Sequence, residues 1–257
     1  MRRQLLFFML MLLGLSGSYA APSLVSPAPT IEDGWDATIE VPPRWDSWSG
    51  YALTSETSTG YGGLTYALNG DKTRDGWRLR LEGGGGTYGY TSNRTDGANV
   101  IPVDFFGQST FGNALLGYQW QTDPWTTKVF AGIAYQEHAI GPLDPDNPVV
   151  GARWGAKISV EGWRNVGAAS FATYDLSFAT PFSSYNAQLR YGQSIVEDLW
   201  LGLEGGVFGN EELNAARLGI FGRWRTDYGT LWVTGGVSGD YNDPTTPFGS
   251  VLVVKSY

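Results

Sequence analysis

The stretch LNAARLGIFGRWRTDYGTLWVTGGVSG, residues 213–239, decides the fold. Ala216, Leu218, Ile220 and Trp224 share one parity, while Arg217, Gly219, Phe221, Arg223 and Arg225 share the other. A period of two marks a strand, whose successive side chains point to opposite faces. The alternation returns after Thr226-Asp227-Tyr228-Gly229, with Leu231, Val233 and Val237 on one side and Trp232, Thr234, Ser238 and Asp240 on the other. The intervening residues, ending in glycine, read as a tight hairpin turn. Each arm runs about ten residues, roughly twice the common strand length in soluble sheets. Long arms that are apolar on one face and carry arginine and glycine on the other suit a wall with lipid outside and polar groups inside, the pattern of a transmembrane β-barrel.

Outward from this hairpin, the same alternation predicts twelve strands between Trp48 and Tyr257. The connections divide by length. With both termini on one side, the connections on that side, NGDKTRDG, TDPW, RNVG, SIVED and TDYG, are short or tight. The two long ones, SNRTDGANVIP and AIGPLDPDNP, fall on the opposite side, as in outer-membrane barrels. The expected fold is therefore all-β: a single antiparallel transmembrane barrel of about twelve strands.

Parity then assigns the faces. Leu79, Leu81, Ala152, Trp154, Ile158, Leu176, Phe178, Leu189, Tyr191, Leu201, Leu203 and Val207 turn to lipid. Arg78, Arg80, Glu82, Arg153, Lys157, Glu161, Asp175, Arg190, Glu204, Arg217 and Arg223 turn to the lumen, together with Trp200 and Trp232. A charge on the lipid face near the midplane would cost about 2–4 kcal/mol, so confining the charges to one parity is the strongest argument for a barrel. These lumenal charges read first as a ladder of ion pairs filling a small barrel. The other reading is a polar conduit or sugar-contacting surface, with Trp200 and Trp232 available to stack on a glucan ring. Packing is the commoner use of such tryptophans. In the ninth and tenth strands, Glu204 is brought toward Arg217.

The ends of the chain add context. Residues 1–20 combine Arg2 and Arg3, an apolar run from Leu5 to Leu15 and small residues up to Ala20, the form of a secretory signal peptide. The proline-rich, acidic residues 21–46 read as a periplasmic linker, and 47–257 as the barrel. The terminal SVLVVKSY resembles the aromatic-ended last strand of outer-membrane proteins, although Lys255 sits where that parity should be apolar. With 17 basic against 25 acidic residues and a net charge of −8, nucleic acid is not an expected partner. The chain has no cysteine, which excludes disulfides and thiolate metal sites.

Motifs for catalysis or cofactors are thin, and no cofactor is expected. His138 is the only histidine, placed by the pattern at a strand end as an interfacial polar residue. A barrel lipid hydrolase would need it to work with a serine such as Ser109 or Ser170, and no motif ties them. Asp144, Asp146 and Asn147 are spaced somewhat like oxygen ligands, but Pro145 and Pro148 favour a rigid turn. Gly83 to Gly86 lie in a strand with no helix following, unlike a phosphate loop.

Four segments, YALNGDKTRDGWRLRLEGGGGTYGY (66–90), ALLGYQW (114–120), LDPDNPVVG (143–151) and GNEELNAARLGIF (209–221), together resemble the BcsS family, proteins of cellulose-synthesis gene clusters. Asp146, Asn147, Pro148, Gly209, Asn210, Glu211, Asn214, Ala215 and Arg217 carry the family's wording. The resemblance implies a non-enzymatic outer-membrane role in making or exporting cellulose, with outer-membrane lipid around the wall and the cellulose chain or other synthesis components as partners. It brings no catalytic residue. A narrow channel for small solutes and a lipid hydrolase using His138 are the alternatives.

Overall fold

The computed structural model describes residues 42–96, 99–240 and 245–257. Residues 1–20, read as a signal peptide, and all but the end of the linker lie outside the described residues. The strands are β1 (Trp45–Thr54), β2 (Thr57–Ala67), β3 (Gly76–Asp96), β4 (Asn99–Thr122), β5 (Trp125–Gly141), β6 (Gly151–Val166), β7 (Ser170–Ala179), β8 (Ser184–Val196), β9 (Leu199–Gly209), β10 (Asn214–Thr226), β11 (Gly229–Asp240) and β12 (Thr246–Ser256). Every neighbour pair is antiparallel, and β1 closes the sheet on β12 from Asp46↔Ser256 to Thr54↔Phe248. Closure removes the free edges that an open sheet would expose.

The expected twelve-strand barrel is thus the observed one, and it starts at Trp45, two residues earlier than the sequence boundary. The quoted hairpin folds as read: Thr226 pairs with Gly229, whose φ of 142° a side chain would strain, and the Thr226 hydroxyl donates to the Gly229 carbonyl at 2.9 Å. Several connections are shorter than expected, and two stand out. Thr57 to Gly60 belong to β2, leaving Ser55 and Glu56 as the turn. Most of the expected SNRTDGANVIP loop is strand, because β3 and β4 stay in register from Gly76↔Gln119 up to Asp96↔Asn99.

The polarity is inverted relative to a soluble protein. Leu218 is 64% and Ile220 68% exposed on the outer face of β10, while Arg223 between the same strands' inner residues is 1% exposed. Inside, Arg80, Phe130, Glu204 and Trp232 are all buried. Strands β7 to β12 hold 10 to 13 residues, about the length a tilted strand needs to cross the hydrocarbon core. β3, β4 and β5, with 21, 24 and 17 residues, rise well beyond that on the side away from the termini. No helix among the described residues is long and apolar enough to cross a membrane. Lys255 lies at the terminus-side end of this wall, its ammonium 4.8 Å from the Tyr257 ring, which itself stacks on Trp45.

Candidate functional site

The lumen gathers most of the buried charges among the described residues, and it fills in three tiers. In the middle tier, Arg80 reaches across from β3 to Glu161 of β6 with both terminal nitrogens, one of them at 2.9 Å, and its Nε donates to Thr65 at 3.1 Å. Its guanidinium also lies 3.7 Å from the Phe130 ring centroid. Lys157 spans the same gap to Glu82 at 2.5 Å, and Asn113 donates to that carboxylate at 2.9 Å. Asp175 stands directly opposite Glu161 on β7 and accepts from Asn186 at 3.1 Å. Glu204 is held between Arg190 at 2.6 Å and Arg217 at 3.2 Å, as the β8–β9–β10 register requires. Such pairs keep buried charge tolerable; either half alone would be left unsolvated.

The loop-side tier is a lid that periodicity does not reveal. Residues 142–150, expected as an outer loop, carry Asp144, Asn147 and Val149 into the barrel at 3% exposure or less. The Tyr90 hydroxyl donates to Asp144 at 2.8 Å, Arg94 pairs with Asp144 and with Asp146 at 3.2 Å, and Asn147 donates to the Tyr90 oxygen at 3.1 Å. Asp144 and Asp146 thus serve an arginine, and no cluster of three metal-ligating side chains exists among the described residues. Arg153 sits at the rim instead of deep in the lumen: it pairs with Glu211 at 3.0 Å, donates to the Pro148 carbonyl at 2.9 Å and lies over the Phe182 ring. The Glu211 amide donates to the Phe182 carbonyl at 3.0 Å, tying three connections together. Burial and the neighbouring Asp144 and Glu211 carboxylates push the Glu212 carboxyl above its ordinary value.

His138 belongs to this lid, which corrects its reading as an interfacial strand-end residue. It is 2% exposed, its ring meets Phe182 edge-on at 4.9 Å, and Nδ1 lies 3.4 Å from the Tyr88 hydroxyl. The adjacent Glu137 turns outward to the Tyr135 hydroxyl. Ser109 lies across the ladder from His138, and no hydrogen bond joins them; Ser170 opens β7 at the other end of the barrel. A hydrolytic triad would need a serine and an orienting acid on this ring.

The terminus-side tier is mostly aromatic. Arg223 sits among Trp163, Phe171, Trp200 and Trp232, its guanidinium carbon 4.3 Å from the Trp200 ring and 5.3 to 5.5 Å from the others. Gly192 and Gly202 leave the floor for these rings: a Cβ on either would come within 2.6 Å of Phe171 or Phe221. Trp232 is packed inside, while Trp200 is half-buried. Near β1, Arg78 gives its donors to Asn69 and to the Trp77 carbonyl, both at 3.0 Å, and Lys72 pairs with Asp46. In that same connection burial raises the Asp71 carboxyl, but hydrogen bonds from Thr73 and the charges of Arg74 and Arg78 outweigh it and hold it below its ordinary value.

An apolar outer face, a charged interior and full closure define the class: a membrane-spanning β-barrel with a filled lumen. Within that class, the chain belongs to the family described as cellulose biosynthesis protein BcsS, whose pattern matches residues 47–256 and takes in all four segments quoted above. No curated protein matches the sequence. Among solved structures it is similar to a KdgM porin in complex with disordered oligogalacturonate, at 8% identity and TM-score 0.45 over 82% of this chain and 99% of that one. It is also similar to the β domain of the Bordetella autotransporter BrkA, at 14% identity and TM-score 0.42 over 85% and 99%. A third is the translocator domain of the autotransporter NalP from Neisseria meningitidis, at 13% and 0.42 over 84% and 87%.

Proposed function

We propose that this protein is a non-enzymatic outer-membrane barrel that assists cellulose biosynthesis or secretion by anchoring or organising the export machinery, and that the glucan does not pass through its lumen. Family membership supplies the link to cellulose. One observation carries the rest: side chains at every height of the lumen are buried against one another, from Asn147 and Phe182 through Arg80 and Glu204 to Trp232. A twelve-stranded wall encloses less space than the sixteen or more strands of open porins, and here that space is occupied. Glucan contact falls to rim side chains such as Arg153 and Trp200, because Arg80, Glu161 and Glu204 are out of a polymer's reach. The partners are outer-membrane lipid along the wall and other components of cellulose synthesis at the loops.

The test is genetic. Deleting the gene lowers cellulose yield or disorders the fibre, and the wild-type chain restores both. His138→Asn, which keeps a polar group of similar size, restores both as well. If His138→Asn folds to the same heat-modified gel mobility yet fails to restore cellulose, a hydrolase replaces this reading.

A further inference from the structure

Arg80, Lys157, Arg190, Arg217 and Arg94 each meet a carboxylate in the middle and lid tiers; Arg223 at the terminus-side mouth does not. Arg223 is 1% exposed, and among the described residues no carboxylate lies within ion-pair distance of it. Its Nε and Nη1 are buried without a hydrogen-bond partner. The four surrounding rings stabilise the charge through their faces, each contact worth on the order of 0.5–2 kcal/mol. Ring faces are at best weak acceptors for N–H donors, and unsatisfied buried donors are costly. Lys128, also buried, has no ion pair among the described residues either, but aromatic rings do not box it in as they do Arg223.

Beside Arg223 is a cavity of about 230 Å³, lined also by Arg225, Asp227, Thr230, Lys255 and Ser256. Two cations on the inward parity of β10, Arg223 and Arg225, line this space with the Asp227 carboxylate. Arg225 is only loosely engaged, 3.7 Å from Asp198, and the Ser256 hydroxyl donates to Asp46 at 2.7 Å. A buried guanidinium with unpartnered N–H groups, beside a second arginine, suits a carboxylate or phosphate group.

We propose that this mouth is an oxyanion-binding site built on Arg223, taking one carboxylate or phosphate group. The site rests on side-chain geometry alone and stands whether or not the barrel serves cellulose export. Two sources carry that chemistry. One is a free anion such as a uronate or phosphate ester; the other is the chain itself, whose residues before β1 include Glu32, Asp33, Asp36 and Glu40, and β1 enters the barrel with Asp46 opposite Ser256.

Tryptophan fluorescence reads the site directly, since Trp200 and Trp232 flank Arg223. The purified full chain in detergent is titrated with inorganic phosphate and with glucuronate, alongside a variant neutralised at Glu32, Asp33, Asp36 and Glu40. A saturable change in the wild type identifies a free-anion site. A saturable change only in the neutralised variant identifies the chain's own carboxylate as the resident group. In whichever background responds, Arg223→Met weakens binding at least tenfold and Arg225→Gln several-fold, and Arg223→Lys, which keeps the charge without the fork, falls between wild type and Arg223→Met. The proposal is overturned if neither probe saturates in either background, or if the Arg223 and Arg225 variants respond as their parent does.

Discussion

The two halves of the lumen are filled by opposite means. On the β3–β6 side and around Glu204, seven side chains form a net of ion pairs: Arg80 with Glu161, Lys157 with Glu82, and Arg190 and Arg217 with Glu204. At the terminus-side mouth, rings from β6, β7, β9 and β11 surround Arg223. The first half is polar and mutually dependent, so removing one member strands another. The second is held by ring packing, and Arg223, the cation its rings enclose, is the member least needed for the fold. A barrel can therefore be plugged by charge or by aromatics, but only the charged plug is brittle to single changes.

The sharpest way to break this contrast is Glu161→Leu. It leaves Arg80, fully buried, without its carboxylate, and the expected loss is about 3–5 kcal/mol, read as a lower urea midpoint in detergent. Next comes Glu204→Gln, which retains an acceptor for Arg190 and Arg217 but removes the charge; a loss of about 2–3 kcal/mol is expected. In the aromatic half, Arg223→Met shifts the same midpoint by no more than about 1 kcal/mol in either direction, since an unpaired cation gives way to an apolar chain of similar length. Equal losses from Glu161→Leu and Arg223→Met would erase the distinction between the halves.

The smallest effect belongs to the lid. The Glu212 carboxyl is raised above its ordinary 4.5 by burial and by Asp144 and Glu211. The folded state thus holds that proton more tightly than the unfolded chain does. Its contribution is greatest below the ordinary value and is lost as pH rises through the raised one. Glu212→Gln should flatten that part of the stability profile, as followed by urea midpoints between pH 4 and pH 7, and leave the acid limb in place.

The wall was legible in the sequence because period-two alternation is local. Leu218 and Ile220 against Arg217 and Arg223 declare their faces without reference to any other strand, and Glu204 could be matched to Arg217 because β9 and β10 are neighbours. The pairs across the lumen were not legible. Arg80–Glu161 and Lys157–Glu82 join β3 to β6 and depend on barrel closure, which no local pattern encodes. The lid was hidden for a different reason. Residues 142–150 have no periodicity, so nothing in LDPDNPVV signals that Asp144, Asn147 and Val149 turn inward. His138 was misplaced with them, since a strand end looks interfacial until a loop folds over it. The β3–β4 extension was hidden by polar residues at 92–102, which favour loops but here continue a paired hairpin above the membrane.

The account rests most heavily on the lumen being filled, and ion conductance across a planar bilayer tests that directly. The purified wild-type barrel should insert and remain silent, without discrete steps at neutral pH and moderate voltage. Glu161→Leu, by loosening the charged plug, should add brief, irregular openings. Stable, reproducible steps from the wild-type protein would mean that water and ions run through the barrel, and the organising role would then yield to a conduit.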